Sequence, residues 1–223
     1  MKVFVLALAA VVPLMAPWDD ESLTSPPPCH VGIDLQVRAA LPWGPVEWTV
    51  LTSEVDRIWA QYGVTFCWAT ADHPCDGLRV RLRVVVEDDA SAPGARPAAA
   101  PTPVGWIWFT GASPAPEIHL SVRGARTVVD RARIGSRPIA TWPPATAAPL
   151  VPRVLGRALA HEAGHFLLQS RQHTRGGLMS ATLRPDQTTF DGDAAFGLTQ
   201  ALARQIRTVC QPPALAAGNH RTR

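Results

Sequence analysis

The stretch Ala160-His161-Glu162-Ala163-Gly164-His165 constrains the chain more than any other. Leu155, Leu159 and Phe166 recur at near-helical spacing around it, and Pro152 suits a first helical turn, where its missing N–H would be unpaired anyway. The spacing predicts a helix from about Pro152 to about Ser170. On that helix His161 and His165 lie one turn apart on one face, where a single metal ion can take both imidazoles. Glu162 is turned about 100° from His161, beside the ion rather than in line with its ligands. A carboxylate there can take a proton from a water held at the metal.

Catalytic zinc uses three protein ligands and leaves a fourth position for water. His173, eight residues after His165, is the nearest good candidate for the third ligand, and Asp186 and Asp191 are the fallbacks. His161-Glu162-x-x-His165, then His173, then Gly177-Leu178-Met179-Ser180 resembles the active-site segment of the metzincin-type zinc peptidases. It is also similar to exported bacterial proteins of uncharacterised function that carry a His-Glu-x-Gly-His helix, a later histidine and a Gly-Leu-Met. The match covers about 20 residues by the motif's own spacing.

The resemblance implies a zincin-like domain with one catalytic Zn2+ on His161, His165 and His173. It further implies Glu162 as general base, a methionine turn at Met179, and a peptide or protein substrate held along an edge strand. Glu117 to Val122, which includes His119, is the expected edge strand. Two departures stand out. The family's glycine and third histidine fall here on Leu168 and Arg171. An unbroken helix would carry His173 about 12 Å from His165, so the helix has to stop near Ser170 without a glycine. The only tyrosine, Tyr62, lies far upstream, which leaves Arg184 or a main-chain N–H to stabilise an oxyanion.

The rest of the chain reads as one domain over 17–211. Lys2 followed by the apolar run Val3 to Val12 reads as an export signal ending near Ala9 or Ala16, so 1–16 is set apart. The expected location is secreted or periplasmic, with no stable membrane insertion of the mature chain. Four cysteines, Cys29, Cys67, Cys75 and Cys210, then meet an oxidising compartment. Three pairings are possible. Cys67–Cys75 is preferred because the two flank a short turn-rich segment, and Cys29–Cys210 follows from it.

Strands are expected at Val31 to Val37, Val64 to Trp68, Leu78 to Val86, Val104 to Phe109 and Glu117 to Val122. Helices are expected at Pro45 to Tyr62 and Thr199 to Val209, with Gly63 as a stop for the first. Segment 88–103, rich in Ala, Pro, Gly and Ser, reads as a loop insertion. Segment 124–149 reads as irregular, and 212–223 as a tail. The fold class is α+β: a mostly single mixed or antiparallel sheet backed by two helices. Arg79, Arg81 and Arg83 form a solvated strand face, and Trp106 and Trp108, two apart, share one face. The net charge of +3 carries one lysine, and no arginine cluster is interleaved with aromatics, so nucleic acid is not expected as a partner. The competing function is a non-catalytic, zinc-stabilised binding domain that retains the metal helix.

Overall fold

The computed structural model describes residues 29–38, 41, 43–70, 74–76, 78, 80–88, 103–182, 184–190 and 192–210. The expected signal segment, the interior of the 88–103 insertion, the tail and Asp191 lie outside the described residues.

The architecture is α+β, with a five-stranded sheet in the order β2-β1-β3-β5-β4. The strands are β1 (Cys29–Val37), β2 (Val64–Ala69), β3 (Val80–Glu87), β4 (Gly105–Thr110) and β5 (Ser113–Ser121). Four of them run parallel, and only β4 is antiparallel, to β5. The sheet is therefore mixed, as expected, with the parallel pairs in the majority. Parallel neighbours need long crossovers. The helix α1 (Pro45–Ala60) supplies one between β1 and β2. The β4–β5 pair closes in a tight turn.

One sheet face is apolar. Val31, Ile33, Leu82, Val84, Ile118 and Leu120 are buried there against Leu51, Val55, Ile58 and Trp59 of α1 and Leu155 and Leu159 of α4 (Leu150–Leu168). Each fully buried aliphatic side chain contributes about 1.5–3 kcal/mol. The opposite face carries Asp34, Arg83 and Glu117 in register, with Arg83 3.3 Å from Glu117. Arg81 and Arg83 are exposed; Arg79 lies outside the described residues.

Three expectations change. Segment 124–149 is not irregular: it contains most of α2 (Val122–Arg131), a hairpin of β6 (Arg133–Ile134) and β7 (Arg137–Pro138), a 3-10 turn and the short α3 (Pro144–Ala147). Ser121 caps α2 by accepting the Gly124 N–H at 3.0 Å, and Val122, Ala125 and Val129 are its buried stripe. The loop after α4 holds a further helix, α5 (Pro185–Phe190), ahead of α6 (Gln200–Cys210). More than two helices therefore pack behind the sheet. Thirdly, Glu117 to Val122 is not an edge: β5 runs between β3 and β4, and β4 is the border strand beside α4.

Cys67 and Cys75 form a disulfide with Cα atoms 5.8 Å apart. Cys29 is also disulfide-bonded, and the expected partner's side chain, that of Cys210, lies outside the described residues. Among the described residues no helix is long and apolar enough to cross a membrane.

Candidate metal centre

The centre is built by α4 and by the chain's reversal after it. The helix ends at Leu168, and Gln169 adopts left-handed backbone, with φ 49° and ψ 42°. The Ser170 N–H then bonds back to the His165 carbonyl at 3.1 Å, a helix-ending pattern usually assigned to glycine. The turn required by the late third histidine is thus made by a glutamine, whose side-chain amide donates to the Phe166 carbonyl at 2.7 Å.

Beyond it, Thr174 and Met179 close a loop through a 2.8 Å main-chain bond. Gly177, at φ 77°, turns the chain where its Cα faces the Gly197 carbonyl; a Cβ there would lie 2.1 Å from that oxygen. Leu178 and Met179 are buried. Met179 packs its sulfur on Gly164, where a Cβ would stand 2.4 Å from it. The glycine in the middle of the motif is therefore the space the methionine occupies.

Three imidazoles meet at the surface of this assembly. The Nε2 atom of His165 lies 3.1 Å from that of His161 and 3.2 Å from that of His173. Candidate ligand atoms of all three lie within 4.8 Å of one another. The other ring nitrogens explain the aim. His161 Nδ1 is 2.6 Å from the Leu178 carbonyl, and His165 Nδ1 is 2.7 Å from the Ser170 carbonyl. A carbonyl only accepts, so each Nδ1 carries the proton and each Nε2 presents a lone pair.

Burial keeps both rings neutral. It pushes His161 down to about 4, against the opposing hydrogen bond to Leu178 and with the neighbouring histidines adding to the fall. It also lowers His165, again opposed by its carbonyl bond and reinforced by His173. Lone pairs converging at such distances repel one another unless a cation lies between them. Tetrahedral zinc with Zn–N of 2.0–2.1 Å sets its ligand nitrogens about 3.3 Å apart. The donor set therefore fits a divalent cation, and its neutral imidazoles suit zinc and its transition-metal neighbours.

Glu162 is 8% exposed, and burial pushes its carboxyl up to about 8. It lines, with His161, a cavity of about 250 Å³. Pro103, Val104 and Gly105 at the start of β4 form one wall, Val128 and Ala158 another, and Ser180, Ala181 and Thr188 the far side.

The other sequence candidates fall elsewhere. Asp186 pairs with Arg184 at 3.4 Å, and Arg184 is 72% exposed, so neither joins the histidine cluster. Tyr62 accepts the Leu198 N–H at 2.6 Å and braces the fold. His119 is held by Glu87 at 3.1 Å and Glu117 at 3.0 Å, with its ring stacked on Trp106. Trp106 and His119 pair across β4 and β5, on the face away from the metal helix.

Sequence reading missed Gln169, Ser170 and Arg157. The last carried a signal: a charged residue one turn before His161, inside an apolar helix, is rarely buried without partners. No protein-family model matches the chain, and no characterised protein matches it either.

Proposed function

We propose that the chain is an exported, zinc-dependent hydrolase of peptide or related amide bonds, with a zincin-like fold. The observation that carries this reading is the convergence of the Nε2 atoms of His161, His165 and His173, with the buried Glu162 on the same helix as the first two. A structural site would need the histidines but not the glutamate. Cys67–Cys75 agrees with an oxidising compartment.

His161, His165 and His173 would hold the zinc, which when bound would supply Lewis-acid chemistry at the substrate carbonyl and lower the pKa of a water to roughly 7. Glu162 would accept a proton from the attacking water as that water's oxygen adds to the carbonyl carbon. It then hands the proton to the nitrogen as the C–N bond breaks, leaving an acid and an amine. Burial raises the Glu162 carboxyl in the metal-free protein, and a divalent cation held by the neighbouring histidines would draw it back toward the ionised form that the first step needs. Substrate lies along β4, the border strand, by main-chain pairing. One of its side chains enters the cavity beside Glu162. Arg171 fixes the strand's far end: its guanidinium donates to the Gly111 carbonyl at 2.6 Å and covers the Phe109 ring at 4.7 Å.

The binding-domain reading draws on one observation: Tyr62 and Arg184 are both occupied away from the histidines. Metal analysis, followed by a peptide-library digest with and without chelator, separates the two. The hydrolase reading expects one bound zinc per chain, chelator-sensitive cleavage, and a Glu162→Gln variant that keeps zinc and cleaves nothing. Zinc without cleavage of any peptide, or full activity in the variant, overturns it.

A further inference from the structure

Arg157 is 4% exposed, one turn before His161 on α4. Every side of its guanidinium is engaged. Nε donates to Glu54 of α1, which also binds Arg57 at 2.7 Å. Nη1 donates to two main-chain carbonyls of α5, Gln187 at 3.1 Å and Thr188 at 3.0 Å. The guanidinium carbon lies 4.5 Å from the centre of the Phe196 ring. The arginine also lines the cavity beside Glu162, and so does Thr188.

The geometry needs an external anchor. α5 has six residues, so the carbonyls of its final turn have no intrahelical partner. A cation at that end satisfies them and meets the negative end of the helix. Its Nη1 reaches both oxygens while Nε keeps Glu54, a division of donors over separate nitrogens that a lysine's single ammonium lacks. Because Arg157 shares a helix with the metal ligands, α5 is referenced to the histidines and not to the surface.

We infer that Arg157 is a positioning residue. By fixing α5 against α4 it sets the depth of the cavity next to Glu162, and with it the size of substrate side chain accepted beside the scissile bond. The selectivity part rests on the proposed hydrolase reading; the positioning part does not. The cavity is not offered a free charge, since the arginine's donors face Glu54 and two carbonyls. Among its other lining residues Pro103, Val104, Val128, Ala158 and Ala181 are apolar and Ser180 and Thr188 are uncharged, which suits a neutral aliphatic group of moderate size.

Removing Arg157 alone would leave the buried Glu54 carboxylate with one of its two arginine partners, Arg57, so the test replaces both members of the buried pair: Glu54→Leu with Arg157→Met. Arg157→Lys, which keeps the charge and loses the fork, serves as the conservative variant. Two readouts are taken on full-length, disulfide-intact, zinc-loaded protein. The first is amide exchange at Thr188, Thr189 and Phe190. Losing charged donors to two carbonyls should speed it about tenfold or more, with zinc affinity within about threefold of wild type. The second is calorimetric affinity for three succinyl hydroxamates that differ only in a methyl, isobutyl or benzyl side chain.

Wild type should prefer isobutyl to methyl by about tenfold. The double variant should lose most of that preference, and the lysine variant should keep the Glu54 pair while losing part of it. Unchanged exchange at α5 overturns the positioning role. Faster exchange with the preference intact overturns the selectivity role. Wild-type protein that binds zinc but no hydroxamate refutes the hydrolase reading and the selectivity role together, while the exchange result still decides the positioning role.

Discussion

Replacing Glu162 with Gln should stabilise the metal-free protein by an amount that grows with pH. The carboxyl is pushed from 4.5 up to about 8 by burial alone. Below pH 4.5 it is protonated in both folded and unfolded chains and costs nothing. Between 4.5 and about 8 the unfolded chain ionises while the folded one stays protonated, so wild-type stability falls as pH rises. Above about 8 the loss is complete. At 1.36 kcal/mol per pH unit, the interval from 4.5 to about 8 corresponds to a ceiling of about 5 kcal/mol. Between pH 5 and pH 9 the stability gap between variant and wild type should widen by about 2–4 kcal/mol, allowing for some relaxation around the charge.

His161 acts in the opposite direction. Its folded value of about 4 lies below its ordinary 6.5, so it costs stability as pH falls from 6.5. It does so in both proteins and cancels in the difference. Urea unfolding of chelated, disulfide-intact protein at pH 5, 7 and 9 measures the gap. A difference that stays flat across that range would mean that Glu162 is solvated, and the account of its protonation would fail.

Two further perturbations separate metal binding from folding. His173 is exposed, so His173→Ala should leave metal-free stability within about 0.5 kcal/mol of wild type. It should weaken zinc by at least about 100-fold, more than the loss of an outer-shell partner costs; zinc titration against a competing chelator reads this. Gln169→Gly relieves a left-handed residue but gives up the 2.7 Å bond to Phe166. The net effect should be a gain of about 0.5–1 kcal/mol, or a melting point about 1–4 °C higher by scanning calorimetry. A lower melting point would show that the glutamine side chain, not the turn, holds the helix end.

The metal helix was readable because its constraints are local. Four-residue spacing puts His161 and His165 on one face in any straight helix, and the strands announced themselves by alternation. What local pattern does not contain is who pairs with whom. Val31, Leu82 and Ile118 alternate alike in parallel and antiparallel sheets, so the dominance of parallel pairing and the border position of β4 came only with the fold. The helix α2 stayed hidden because Gly124 falls in its first turn and its apolar stripe is short, with Val122, Ala125 and Val129 as its buried hydrophobic residues. At the site, His173 was visible as a residue but the means of its arrival was not, since nothing marks Gln169 as a residue that turns the chain. Arg157 was masked by the chain's high arginine content, which makes any one arginine look ordinary.

The second ring nitrogens of His161 and His165 rest on the main-chain oxygens of Leu178 and Ser170. No substitution deletes a main-chain oxygen. Position 170 can therefore drift in side-chain identity while still steering its imidazole, and an alanine scan would pass over it; at position 178 the scan would report the packing of the buried leucine and not its carbonyl. What the centre does not tolerate is a change in chain length between them: one residue gained or lost in that loop would shift the oxygens and turn both rings aside, although every histidine remained.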